Sequence, residues 1–217
     1  MTDPRTPYPV RVDAALEPSG SRGLWLVKWL LLIPHFVVLF FLWAAFCAVS
    51  VIAFFAILIT ARYPRPLFDF NVGVLRWTWR VAYYSYGALA TDRYPPFSLG
   101  EEPGYPARLD IAYPEKLSRG LVLVKWWLLA IPQYIIVGFL LGGFRMGWWS
   151  GGLTAVLAII AGFHVAFTEK YPEELFDLVI GFNRWVLRVA AYAALMTDVY
   201  PPFRLDMGGS EPEEELP

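Results

Sequence analysis

Of the chain's 217 residues, 57% are hydrophobic, 18% aromatic and 17% charged. An average soluble domain holds about 45–50% apolar and about 25% charged residues, so both shifts point toward a membrane protein. A formal net charge of -1 gives no field for nucleic acid, and the single Cys47 can form neither an internal disulfide nor a metal cluster.

Residues 1–7 read as a tail. Pro4, Pro7, Pro9 and Pro18 interrupt the first twenty residues, with no apolar stretch of signal-peptide type. The first hydrophobic segment is therefore expected to stay as an anchor. From Tyr8 to Leu16, Val10, Val12 and Ala14 alternate with Arg11 and Asp13, as in a half-exposed strand. From Leu24 to Ala61 the only charge is Lys28. A straight helix of that length would measure about 57 Å at 1.5 Å per residue, against a hydrocarbon core of about 30 Å. Two spans, about 24–43 and 46–61, fit better, with a tight turn near Trp43–Phe46. Pro34 should kink the first, with a neighbour satisfying the freed carbonyl. Lys28, near the helix start, is expected to snorkel to headgroups as an interface anchor. Next comes "FDFNVGVLRWTWRVAYY", in a helix expected over about 68–90, and then "TDRYPPFSL" at Thr91, whose paired prolines stop a helix.

The same order then recurs. "YPARLDIAY" at Tyr105, "SRGLVLVKWWLLAIP" at Ser118, "TEKYPEELFD" at Thr168, "FDLVIGFNRWVLRVAAY" at Phe176 and "TDVYPPFRL" at Thr197 each match a segment of the first half. The chain is a tandem duplication, with unit 1 over 8–100 and unit 2 over 101–206. Spans are expected at about 121–141 and 153–168, kinked at Pro132 and anchored by Lys125. They flank the turn-rich "GGFRMGWWSGG", and a second arginine helix is expected at about 176–196. Residues 207–217 read as an acidic disordered tail. The fold class is a mainly α-helical integral membrane protein: two spanning hairpins, each with an amphipathic interfacial helix, plus short cytoplasmic β-strands. "PPFSL" should form a hairpin with "YPARLDIAY", and Tyr8–Leu16 should pair with Pro202–Asp206.

Apart from Arg145, the arginines of the first 119 residues and their neighbours lie away from the hairpin tips. The positive-inside rule then places both termini in the cytoplasm. If Val72–Ala90 crossed the membrane, Arg93, Arg108 and Arg119 would face outward. A helix flat on the cytoplasmic interface keeps the asymmetry, and a third span per unit is the rival.

On either helix one stripe repeats: Asp69, Gly73, Arg76, Arg80 and Tyr84, then Asp177, Gly181, Arg184, Arg188 and Tyr192. Two roles fit it. The arginines can pair with acids such as Asp69, Asp92, Asp13 or Asp110, or they can hold lipid phosphates through bidentate guanidinium forks. His35 and His164 fall in spanning segments, but Gln133 stands opposite His35, so both read as structural. No zinc-protease, nucleophile-elbow or P-loop motif occurs. No catalytic constellation, cofactor or metal is expected.

With these motifs assembled, the chain resembles a family of bacterial membrane proteins, common in actinobacteria, known only as a domain of unknown function and often present as two tandem copies. "VKWLLLIPH" at Val27, "ITARYPRPLFDFNVGVLRWTWRV" at Ile59 and "TDRYPPF" at Thr91 carry the resemblance, which runs from Tyr8 to Leu205. It implies a multi-pass bacterial inner-membrane protein and supplies no activity. The second copy departs with Gln133 for His35 and with Glu169-Lys170 for Ala61-Arg62. The leading expectation is a non-enzymatic scaffold or accessory subunit. It would bind membrane lipids, including anionic headgroups, or a protein partner or second copy at the cytoplasmic face. A small transporter or channel between the repeats is the alternative, and a lipid-modifying membrane enzyme the third.

Overall fold

Alternation at period two gives each repeat one short strand, β1 (Val10–Ala14) and β2 (Ala107–Ile111). Two five-residue strands are marginal alone. They pair with each other, antiparallel, with Val12 opposite Leu109, Arg11 opposite Asp110 and Asp13 opposite Arg108. The inner face of this ribbon (Val10, Val12, Ala14, Ala107, Leu109, Ile111) is buried. The outer face carries the charges in opposite-sign pairs. This replaces both expected pairings: the two pieces that open the repeats find one another, and Pro202–Asp206 forms no strand. The computed structural model describes residues 8–17, 21, 23–142 and 152–210. The expected tails at 1–7 and 211–217, and the hairpin tip with Arg145, lie outside them.

The first repeat continues with a 3-10 turn (Leu24–Leu26), α1 (Lys28–Leu31), α2 (Ile33–Thr60) and α3 (Arg65–Tyr84). The second continues with α4 (Arg119–Val124), a π-helical turn (Lys125–Leu129), α5 (Ile131–Leu141), α6 (Leu153–Thr168) and α7 (Glu173–Ala193). Both prolines sit in the first turn of the helix they open, where no backbone N–H is needed. The break falls just before them, at Leu32 and Ala130, and the second bend measures 45°. The carbonyls left over are taken by tyrosines of the Y-P-P-F segments. Tyr94 donates to the Leu31 carbonyl at 2.9 Å and Tyr200 to that of Leu129 at 3.1 Å.

The expected turn at Trp43–Phe46 is absent. α2 is one helix of 28 residues, about 42 Å long at 1.5 Å per residue. "LWAAFCA" holds no glycine or proline to stop it. The 11 residues of α5 and 16 of α6 together match α2, and the buried positions correspond: Gln133 to His35, Ala161 to Ala53, Val165 to Ile57. Gly142, in the left-handed region at φ 79°, ends α5. A Cβ on Gly152 would collide with the Leu140 carbonyl and the Gly142 nitrogen, so the chain returns beside the point it left. Unit 2 therefore carries an insertion that unit 1 lacks, and no hairpin needs to be assumed for unit 1.

α3 runs antiparallel along α2. Asn71 bonds Ser50 at 3.1 Å and Trp43 bonds Thr78 at 3.1 Å, and Leu32 and Leu39 pack on Trp77, Val81 and Tyr84. α3 begins at Arg65 and α7 at Glu173, three residues before the expected starts, because Pro66 and the Glu173-Glu174 pair suit a first turn. The repeats interlock. The Leu117 N–H bonds the Ala61 carbonyl at 2.9 Å, Gly162 of α6 abuts Trp25, and Asn183 of α7 donates to the Gly87 carbonyl at 2.8 Å.

Candidate functional site

Lys28 is 1% exposed and Lys125 fully buried, so neither reaches a headgroup as expected. The Lys28 ammonium donates to the Thr91 carbonyl at 2.7 Å, pairs with Asp92 at 3.0 Å and stands 4.7 Å from the Tyr84 ring centre. Lys125 repeats this with the Thr197 carbonyl at 2.9 Å, Asp198 at 2.8 Å and the Tyr192 ring at 5.6 Å. Each aspartate also accepts the backbone N–H of the serine that opens its repeat's helical region, Ser21 or Ser118. A buried ammonium left unpaired costs several kcal/mol. The T-D dipeptide supplies its counter-charge and a carbonyl, which fastens the end of each repeat to its beginning.

One turn deeper, His35 and Gln133 do the same work. The Trp77 indole donates to His35 Nδ1 at 2.9 Å, and the Trp185 indole to Gln133 Oε1 at 2.7 Å. The His35 ring stacks on Phe97 at 3.9 Å, and Gln133 Nε2 donates to the Pro201 carbonyl at 2.8 Å. Both residues thus join an arginine helix to a Y-P-P-F segment. His164 is exposed, with Nδ1 2.9 Å from both Thr168 Oγ1 and the Lys170 carbonyl.

The arginine stripe is a seat for the strap that follows Y-P-P-F. A Cβ on Gly73 would stand 2.9 Å from both the Cβ and the carbonyl oxygen of Leu99, and one on Gly181 would stand 3.1 Å from Leu205. Glycine at these places lets an extended chain cross the helix in direct contact. The arginines then fix it. Arg80, 2% exposed, donates to the carbonyls of Ser98 and Gly100. Arg184, fully buried, donates to the carbonyls of Val12, Asp206 and Gly208. Arg188 pairs with Asp206 at 2.6 Å and stands 5.1 Å from the Tyr8 ring centre. Arg76 donates to the Leu109 carbonyl at 2.9 Å and pairs with Glu101 at 2.7 Å and Asp110 at 3.1 Å. Val12 and Leu109 face each other in the ribbon, so each arginine helix holds the strand of the other repeat.

Several expected partners differ. Asp92 meets Lys28 rather than an arginine, and Asp69 pairs with Arg65 one turn earlier on the exposed side of α3 at 3.3 Å. Asp110 meets Arg76 rather than Arg80 or Arg188, and Arg188 takes Asp206. Asp177 is half-buried, and its carbonyl accepts the Gly208 N–H at 3.4 Å. Tyr84 and Tyr192 are covered by the lysines. Burial holds the Arg80 guanidinium below its ordinary value, opposed by the charge of Glu102. Sequence reasoning missed Asp198, Trp77 and Trp185 as site residues and gave Asp92 to an arginine instead of Lys28. Their signal was present in both copies, T-D and R-W at matching places, without anything to say what they touched.

Beside Arg76 and Arg80 opens a charged cleft of about 350 Å³ between β2, α3 and the 100–103 loop. Among the described residues no group of three His, Cys, Asp or Glu side chains could hold a metal ion.

The geometry defines a duplicated, mostly helical protein with an exposed apolar layer, in which two arginine helices clamp a shared ribbon and two extended straps. The chain belongs to the family described as Domain of unknown function (DUF4389), whose model matches residues 22–98 and 123–204 as two copies. No curated protein and no solved structure matches it.

Proposed function

We propose that the chain is a non-enzymatic membrane scaffold. Its α2, α5 and α6 layer enters the bilayer, and its arginine-helix block stands at the aqueous face to meet headgroups or a protein partner. The distribution of exposed apolar side chains carries this reading. Phe40, Phe41 and Ile59 of α2 and Phe139, Phe163 and Phe167 of α5 and α6 are each more than half exposed, whereas no large hydrophobic side chain of α3 or α7 is. α2 is long and apolar enough to span a membrane, yet only 17% of its most apolar 18 residues are buried, unlike the core helix of a soluble protein. An exposed apolar surface of this extent calls for lipid or a partner. Of the polar groups a transport track would need, His35, Ser50, Thr60, Gln133 and His164 bond within the fold and only the buried Thr154 hydroxyl does not, which weighs against conduction.

Two seatings fit. In the first, the apolar layer lies half-immersed along the interface. The antiparallel packing of α3 on α2 favours it, because Arg76 at mid-helix is paired with the exposed carboxylates of Glu101 and Asp110, which a crossing would carry to core depth at a cost of several kcal/mol. In the second, α2 crosses as part of a multi-pass protein with cytoplasmic termini; its 28 residues exceed the roughly 20 needed. Alkaline carbonate extraction should leave the chain in the membrane pellet, and release into the supernatant would sink both. Reporter fusions at Gly100 and Gly147 then separate them: same-side signals fit the half-immersed layer, opposite sides the crossing.

A further inference from the structure

The two halves follow the same course at the straps but differ in charge: Ser98, Gly100, Glu101 and Glu102 stand where the second repeat has Arg204, Asp206, Met207 and Gly208. The Asp206 carboxylate lies 2.6 Å from Arg188 and 3.0 Å from Arg204, so the second buried arginine has a counter-ion from its own strap. Arg80, the match of Arg188, has none: it bonds two carbonyls, and no described carboxylate lies within 4 Å of it. Glu102 acts on this guanidinium only from beyond contact distance, a buried guanidinium with no carboxylate in contact is poorly compensated, and Arg80 lines the cleft of about 350 Å³. The size is that of a small-molecule site. The walls are mixed: Arg11, Arg76 and Arg108 bring further positive charge, while Asp13, Glu101, Glu102 and Asp110 bring negative charge, with Glu101 and Asp110 paired to Arg76.

We propose that this cleft binds a small zwitterion. Its oxyanion takes against Arg80 the place that Asp206 takes against Arg188, and its amine meets the acidic wall at Glu101 and Glu102. A purely anionic ligand would crowd the Glu102 carboxylate, whose charge already acts on Arg80, and a purely cationic one would leave Arg80 as it is. A phosphoethanolamine group satisfies both, whether free or as a lipid headgroup. The inference stands on the cleft alone and does not depend on how the chain sits in a bilayer.

The test uses the full chain in a detergent with an uncharged sugar headgroup. Soluble glycerophosphoethanolamine is titrated calorimetrically, and phosphatidylethanolamine is followed by native mass spectrometry against phosphatidylglycerol. Gly100→Asp supplies the missing carboxylate. A Cβ at Gly100 meets nothing closer than Ser98 Oγ at 3.4 Å, and φ there is not left-handed, so the side chain fits. Gly100→Ala adds the Cβ alone. Wild type and Gly100→Ala should bind saturably and alike, and Gly100→Asp at least tenfold more weakly, with a raised thermal midpoint. Binding of the soluble probe assigns a free zwitterion, and binding of phosphatidylethanolamine alone assigns a headgroup. Absence of saturable binding to both, equal affinity for phosphatidylglycerol, or equal affinity in Gly100→Asp and wild type would overturn the proposal.

Discussion

Arg184 and Arg76 occupy matching places in the two repeats and hold matching ribbon residues, yet their surroundings differ. Arg184 is sealed under the 206–208 strap and spends its donors on three main-chain carbonyls. The Arg76 side chain is 18% exposed and meets two carboxylates that stand in water. One sequence pattern thus yields a closed joint and an open one. The second strap ends past the ribbon, and its Gly209 carbonyl accepts the Ala14 N–H at 2.7 Å. The first strap must instead turn at 101–104 to become β2, and the detour leaves the cleft. A repeated motif specifies a local joint, while the chain's route past it decides whether the joint is shut.

The comparison can be broken most forcefully at Arg184. Arg184→Met removes the guanidinium donor from one buried and two part-buried carbonyls and should destabilise by about 3–5 kcal/mol, whereas Arg76→Met should cost about 1 kcal/mol, as for a partly exposed pair. Denaturant unfolding in detergent measures both, and equal losses would show that the joints are energetically alike. Gly73→Ala comes next. Its Cβ would press on the Leu99 backbone, so a loss of about 1–3 kcal/mol is expected. Gly181→Ala meets chiefly the flexible Leu205 side chain and should lose less than 1 kcal/mol. His35→Leu removes the acceptor of the buried Trp77 indole and should cost about 1–3 kcal/mol. The smallest effect is expected for His35→Gln, which imports the second repeat's solution and should stay within about 1 kcal/mol. A large loss there would mean that the histidine ring does something glutamine cannot.

Much of the architecture was legible in the chain. Repeated Y-P, K-W, F-D and T-D-x-Y-P-P-F segments gave the duplication, alternation gave both strands, and the prolines gave both bends. The unit 1 hairpin was misread because total length was compared with bilayer thickness, while the ten-residue surplus of unit 2 within 142–152 held the answer. The lysines were misread because a lone cation in an apolar run looks alike whether it snorkels or meets a half-buried aspartate more than sixty residues away. That contact has no local signature.

Composition and periodicity by themselves determined that this chain is duplicated, helical and apolar on a large surface, since each follows from the spacing and transfer energy of single residues. Only the tertiary structure decided which strand pairs with which, which acid each cation meets, and that Arg80 lacks the carboxylate Arg188 has. Those outcomes depend on where distant segments come to lie, and burial makes the pairing of each charge worth several kcal/mol.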